Sequence, residues 1–422
     1  MTRCLAVQSG YLEPHSVDQY PSLPVLGGSL RCGSVNPTRL KTAVLLTLCP
    51  MLWAQSHDEL VMHRNQRLSY SQLLQVKAGV MGSRAKDSDP AAGLDDEVAI
   101  DGSVFYHDES FGGRDGQFDA YAGRDGMVAS IRDGRIVGND TSSRLQLSAR
   151  VWPFYREGFY RGDSFVPVGQ YEGSDYEAYL GFGREAAQDL FVEFGPFYRR
   201  NSFDRNERTE LSYTVPDDYA AYGGRVYIEQ NTVQLDRRTR APRGGYLFTV
   251  VLEREWNRSS GEFGTTPGFT SELPSAVWRG RGRMEWYIPQ GSDSAWEIFA
   301  TAALTDETDR VVNYDASHPQ GHMWADAQLR YRLPFGDSFT LSPFVAGQFA
   351  RILEEDGIGS DEKFFYGGGA EAYLHFSDAV SINAWYSYLN NESRPSVSIK
   401  QDLHGEHMFY AGIVLRFGGN RR

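Results

Sequence analysis

Beyond its N-terminal region this 422-residue chain has no apolar run near the roughly 20 residues that a spanning helix needs. Mean hydropathy is −0.46, and a helical membrane protein is excluded. Cysteine is almost absent. Cys4, Cys32 and Cys49 are the only ones, so the rest of the chain can hold neither a disulfide scaffold nor a reactive thiolate. Basic excess is missing too: 42 Lys and Arg stand against 55 Asp and Glu, a net −13. Nucleic acid is not an expected partner, because phosphate contacts need clustered Lys and Arg. No Gly-rich phosphate loop follows a strand-to-helix pattern, and Gly367, Gly368 and Gly369 fall inside a strand pattern, where close packing or bending is their simpler use.

The targeting signal expected from the sequence lies inside the first 54 residues. Arg39 and Lys41 precede an apolar run from Thr42 to Trp53, followed by Ala54, Gln55 and Ser56. This is the three-part form of a secretory signal, and the run is too short to cross a bilayer. The expected division is a leader over 1–54 with an internal signal cut near Ala54, a short periplasmic N-terminus over 55–72, a barrel over 73–417 and a tail over 418–422. Residues 1–37 read as an over-extended gene start or a disordered leader. The leader carries a net +2, which leaves −15 for the remainder.

What the chain does have is 24 Tyr, 24 Phe and 44 Gly, a mixture suited to strands and membrane interfaces and poor for helices. From Leu73 onward, segments of about ten residues alternate with period two. In WADAQLRYRL, Ala325, Ala327, Leu329, Tyr331 and Leu333 share one face, while Asp326, Gln328, Arg330 and Arg332 share the other. In VWRGRGRMEW, Trp278, Gly280, Gly282, Met284 and Trp286 alternate with Arg279, Arg281, Arg283 and Glu285. A helix would scatter these charges; a strand gathers them in one row. The fold class predicted is all-β, a transmembrane antiparallel barrel of about sixteen strands. The count falls to twelve or fourteen if the hairpin around Arg124-Asp125-Gly126 lies outside the membrane.

Connection lengths support the barrel. Odd-numbered gaps are mostly long and polar, among them 84–96, 154–173, 201–218, 257–274, 306–322, 353–362 and 390–406. Even gaps such as 185–188, 289–293, 334–338 and 377–378 are compact turns, as in outer-membrane barrels with short periplasmic turns and long outer loops. The last strand, HMFYAGIVLRF, has an apolar face of Phe409, Ala411, Ile413, Leu415 and Phe417, which reads as a C-terminal assembly signal. On an edge strand of a soluble sheet that row would invite aggregation.

The stretch from Ala241 to Phe417 resembles the barrel of the BamA/TamA superfamily of outer-membrane assembly factors. APRGGYLFTVVLE is similar to that family's Pro-x-Gly start of a middle strand. WADAQLRYRLPF, SPFVAGQFARI, FFYGGGAEAYLHF, AVSINAWYSYL and MFYAGIVLRF resemble its closing strands in the same order. The resemblance implies a sixteen-stranded barrel and a role in envelope assembly or transport. Two departures put insertase or translocase activity in question. Only Gln55 to Gln72 separates the presumed cleavage site from the first strand, too little for a POTRA module, and in the sixth outer gap Arg310 precedes Val311, Val312 and Asn313 where the family has Arg-Gly-aromatic.

The same alternation assigns lumen-facing charges of both signs: Glu253, Glu255, Arg279, Arg281, Arg283, Glu285, Glu297, Asp326, Arg330, Arg332 and Glu371, with Arg144, Arg150, Glu177, Glu193, Arg225, Glu229 and Arg416. Such charges are either paired into a stiff filling or line a path whose arginine row draws anions. Glu253, Glu255 and Glu297 are the carboxylates on hand for the arginine row. The rival class is a lipid-modifying enzyme with its site on the outer rim. It would draw on His318, His322, His404 or His407, with Ser317 or Glu406 nearby, and none of these forms a specific catalytic or metal-ligand signature. The expectation is therefore a non-catalytic transport or envelope-assembly protein with no metal or cofactor. Its expected partners are outer-membrane lipid, lipopolysaccharide and, during biogenesis, the barrel-assembly machinery.

Overall fold

A computed structural model describes residues 2–7, 17–20, 72–85, 97–111, 116–123, 126–133, 141–161, 164–205, 209, 211–235, 242–258, 261–265, 269–272, 274–291, 294–306, 321–353, 360–390 and 406–419. The signal around Arg39 to Ser56, the segment 55–71 and most of the longest connections lie outside the described residues. Sixteen strands form the wall. They are β1 (Gln72–Ala85), β2 (Glu97–Asp108), β3 (Gly116–Gly123), β4 (Gly126–Asp133), β5 (Ser142–Arg161), β6 (Ser164–Ala187), β7 (Leu190–Asp204) and β8 (Tyr219–Asn231). The others are β9 (Pro242–Asn257), β10 (Ala276–Gln290), β11 (Ser294–Thr305), β12 (Gly321–Phe335), β13 (Phe339–Leu353), β14 (Ser360–His375), β15 (Val380–Leu389) and β16 (Glu406–Gly419). Each pairs antiparallel with the next, and β16 pairs with β1 to close the barrel. A separate antiparallel pair joins Thr2–Val7 to Val17–Tyr20, with Thr2–Val7 beside β12 and β15.

Alternation dictates which side of the wall each residue takes. Phe409, Ile413 and Phe417 are exposed on the outer face, whereas Met408, Tyr410, Val414 and Arg416 between them are buried. Leu329 is likewise exposed between the buried Gln328 and Arg330. The short hairpin is part of the wall: Gly123 pairs with Gly126, and β4 continues the ladder onto β5. The higher strand count therefore stands.

The closing joint is keyed. Gly79 and Gly412 face each other across β1 and β16, and the Tyr410 ring lies over both. A Cβ at Gly79 would sit 2.6 Å from the ring, and one at Gly412 would sit 2.0 Å from its hydroxyl. Lys77 adds its ammonium 4.5 Å from the centre of the same ring.

Several gaps hold more structure than a polar loop. The 154–173 stretch continues β5 and β6 as a ribbon pairing as far as Arg161 with Ser164. Its register shifts between Trp152 and Tyr155, around Pro153, where the missing N–H fits an irregularity. The 201–218 and 257–274 gaps combine into a small sheet of Tyr213–Thr214, Glu262–Thr265 and Phe269–Glu272. Phe263 from that sheet packs on Tyr219 and Ala221 of the inner wall, with Phe203 alongside. At the opposite end Val233, just after β8, packs inward against Tyr287 and Phe299, and Arg332 donates to the carbonyl of Pro242 at the start of β9. Gly245, at φ +95°, is required there, because a Cβ would meet the Thr232 carbonyl at 2.3 Å.

Read from the sequence alone, Arg should be costly at Leu329 or Ile413 and mild at the neighbouring Gln328 or Val414. The structure removes the second half: Gln328 is 2% exposed and Val414 0%, so neither site has room for a guanidinium, and Gln328 already accepts from Arg330. Leu329→Arg and Ile413→Arg are each expected to cost about 2–4 kcal/mol in a lipid bilayer. Leu329→Phe keeps the surface apolar and should leave stability near that of the parent. Urea titration of the barrel in lipid, read by heat-modifiable gel migration, measures both; equal loss for Arg and Phe would show that this face does not meet hydrocarbon.

Candidate functional site: a charged network on the inner wall

The inner faces of β5 to β10 carry a network of ion pairs, joined at one point through an aromatic ring. It begins where Arg144 on β5 reaches across β6 to pair with Glu193 on β7. The Tyr179 hydroxyl donates to the same Glu193 carboxylate at 3.0 Å. The Tyr179 ring is flanked by two guanidiniums, Arg144 at 4.8 Å and Arg225 at 4.7 Å from its centre. Arg225 donates to Glu253 at 2.6 Å and to Glu177 at 2.9 Å. Arg199 also pairs with Glu177, and further with Glu255. Glu255 then meets Arg279 at 3.0 Å. All of these side chains are buried.

The facing wall has a shorter chain. Arg332 approaches Glu297 at 3.3 Å, Arg330 pairs with Glu371, and Asn383 donates to Glu371 at 2.9 Å. Next to the closing joint, Arg416 donates to Gln75 and to Ser381, each at 3.1 Å. Strand period places like residues on one face, and antiparallel register sets opposite charges side by side; the chains follow from those two rules.

The arginine row does not act as one unit. Arg279 is held by Glu255, while Arg283 pairs with Glu285 on its own strand. Glu255 takes Arg279 of the row; Glu253 pairs with Arg225 and Arg199 and also lies in the field of Arg281, and Glu297 pairs with Arg332 and Arg330. Arg281 lies between the two pairs, half-buried. Asp326 and Glu229 are buried on the inner side, and the Tyr227 hydroxyl donates to Glu229. The Arg150 side chain lies outside the described residues.

Arg199, the most connected cation of the network, went unnoticed in the sequence although steps of two from Glu193 reach it. His107 and Asp119 were missed as well: both are buried, with His107 Nδ1 2.6 Å from Asp119 Oδ1. Of the rim candidates for an enzyme, Ser317, His318 and His404 lie outside the described residues. His322 falls in β12 with its side chain undescribed. His407 faces outward with Nδ1 2.7 Å from the Tyr386 hydroxyl and its ring against Tyr388. Both described contacts of the His407 ring are phenols, and no carboxylate of the kind a triad uses is among them. No metal-type cluster occurs among the described residues.

No protein-family model matches this chain, and no curated protein matches it significantly. Solved structures do. BamA from Haemophilus ducreyi lacking POTRA domains 1–3 superposes with a TM-score of 0.51 at 10% identity, over 90% of this chain and 78% of that one. The fold is that of the BamA barrel. CdiB from Acinetobacter baumannii gives a TM-score of 0.47 at 10% identity, over 82% of this chain and 60% of its own. OprB from Pseudomonas putida gives 0.45 at 10% identity, over 87% and 99%. The superfamily resemblance drawn from the closing strands thus holds for the BamA-like barrel as a fold, and identity this low carries nothing about activity.

Removing one carboxylate from the network leaves a buried excess of positive charge. Glu177→Gln takes a charged acceptor from both Arg199 and Arg225 and is expected to cost about 3–5 kcal/mol. Arg200→Gln breaks an exposed pair with Asp218 and should cost about 0–1 kcal/mol. Paired urea titrations in lipid check the order; equal losses would mean that the network does not hold this wall together.

Proposed function

We propose that this chain is an outer-membrane barrel with a non-catalytic role in transport or envelope assembly, and that its lumen rests closed to ions. The long connections then face outward and the short turns the periplasm. The observation that carries the reading is the network of ion pairs from Arg144 to Arg279, several of which reach over an intervening strand and whose members neutralise one another. Charges so paired offer a passing ion little net field. Phe263 at one end and the inward-packed Val233 at the other support the same conclusion. The exposed row Phe409, Ile413 and Phe417, with the half-buried Leu415, would be the strand that the barrel-assembly machinery engages.

Planar-bilayer recording tests the closed lumen. The wild type should be electrically silent. Changing Arg279, Arg281 and Arg283 together to Gln should lower stability and leave conductance near zero. A steady anion-selective current through the wild type, lost in the triple variant, would overturn the closed reading and make the arginine row a conducting path.

A further inference from the structure

The lipid-facing side of β7 to β10 is unusual at its long-loop end. Arg200 stands opposite Ala220, and the N–H of the exposed Arg258 donates to the same Ala220 carbonyl. One level further into the wall, Tyr198, Tyr222 and Trp256 lie in register, with the Tyr222 and Trp256 rings stacked at 5.9 Å. At the next level Gly224, Arg254 and Trp278 are in register, and the Arg254 guanidinium rests 4.9 Å from the Trp278 ring centre. Below them come Val226, Leu252, Gly280 and Leu304, a purely apolar row. Cations, aromatics, a further cation and then hydrocarbon is the order of a membrane interface.

The acids near these arginines have other work. Asp218 accepts from the Phe203 N–H at 3.0 Å and Asp306 from the Trp278 N–H at 2.7 Å. Each stands 3.9 Å from its arginine. Pairs this open and this solvated are worth little, and the Arg200 side chain is 62% exposed. Gly224 adds a notch beside Arg254, with nothing within 4 Å of where a Cβ would stand. On the other wall the comparable Arg351 faces Glu362 directly, so the charge there is matched.

We propose that this patch binds the phosphorylated sugar headgroup of an outer-leaflet glycolipid, the chemistry of lipopolysaccharide. Arg200 and Arg258 take one phosphate and Arg254 another, since Arg254 and Arg258 lie about 13 Å apart along the strand. Guanidinium forks suit phosphate better than the distant carboxylates. The aromatic level meets the sugar rings, Gly224 admits the headgroup close to the wall, and the row from Val226 to Leu304 meets the acyl chains. This requires only that the barrel spans a membrane and is independent of whether its lumen conducts.

The full barrel in detergent is mixed with bis-phosphorylated lipid A, and separately with the same lipid after its phosphates are removed, and bound lipid is counted by native mass spectrometry. The wild type should retain the phosphorylated form about tenfold better. Arg200→Gln, Arg254→Gln and Arg258→Gln together should abolish that preference while heat-modifiable migration persists. Should the triple variant misfold, Arg200→Gln and Arg258→Gln are read singly, each lowering retention severalfold. Equal retention of the two lipids by the wild type, or a preference that survives the substitutions, overturns the proposal. Full competition by equimolar inorganic phosphate would also overturn it, since that marks an unspecific anion patch.

Discussion

A backbone amide facing hydrocarbon has no water to turn to, so a sheet that crosses a membrane must leave no edge unpaired. Everything in this molecule follows from meeting that condition with sixteen strands. β1 and β16 pair along their whole described lengths. Once the wall is closed, each strand has one face in lipid and one face inside. Period two then becomes a rule about charge: what cannot face hydrocarbon faces inward, and must find a partner there.

The inner network is the second consequence. Glu177, Glu193, Glu253 and Glu255 serve Arg144, Arg199, Arg225 and Arg279, each carboxylate reaching a cation on another strand. Buried pairs of this kind add little net stability over apolar packing. They do make the arrangement intolerant of partial loss, and they fix strand neighbours by matching signs. The inner face thereby sets register as strongly as the lipid face does.

Strand positions were legible because alternation recurs sixteen times, and even the doubtful hairpin from Gly116 to Asp133 belongs to the wall. The inward side of β10 to β12 was legible for the same reason. Partnership was not. Nothing local told that Glu297 would turn to Arg332 and not to the arginine row, because that choice depends on rotamers and on which strand stands next but one. Nor did polarity reveal that the 154–173, 201–218 and 257–274 gaps build a ribbon and a small sheet, since loops and solvated strands share a composition. Arg199 was overlooked although its position in the alternation is regular.

The keyed joint of Gly79, Gly412 and Tyr410 bears on how the wall comes to be closed. Among the strands of the wall, the first and last meet across the greatest sequence separation, so their pairing is slow to find and easy to find wrongly. A slip of two residues keeps apolar and polar faces correct, so alternation cannot reject it. Gly79 can. In a register shifted by two, the Tyr410 ring meets the Lys77 or Met81 side chain where it now covers bare backbone, so the ring serves as a gauge against such a slip of the two ends.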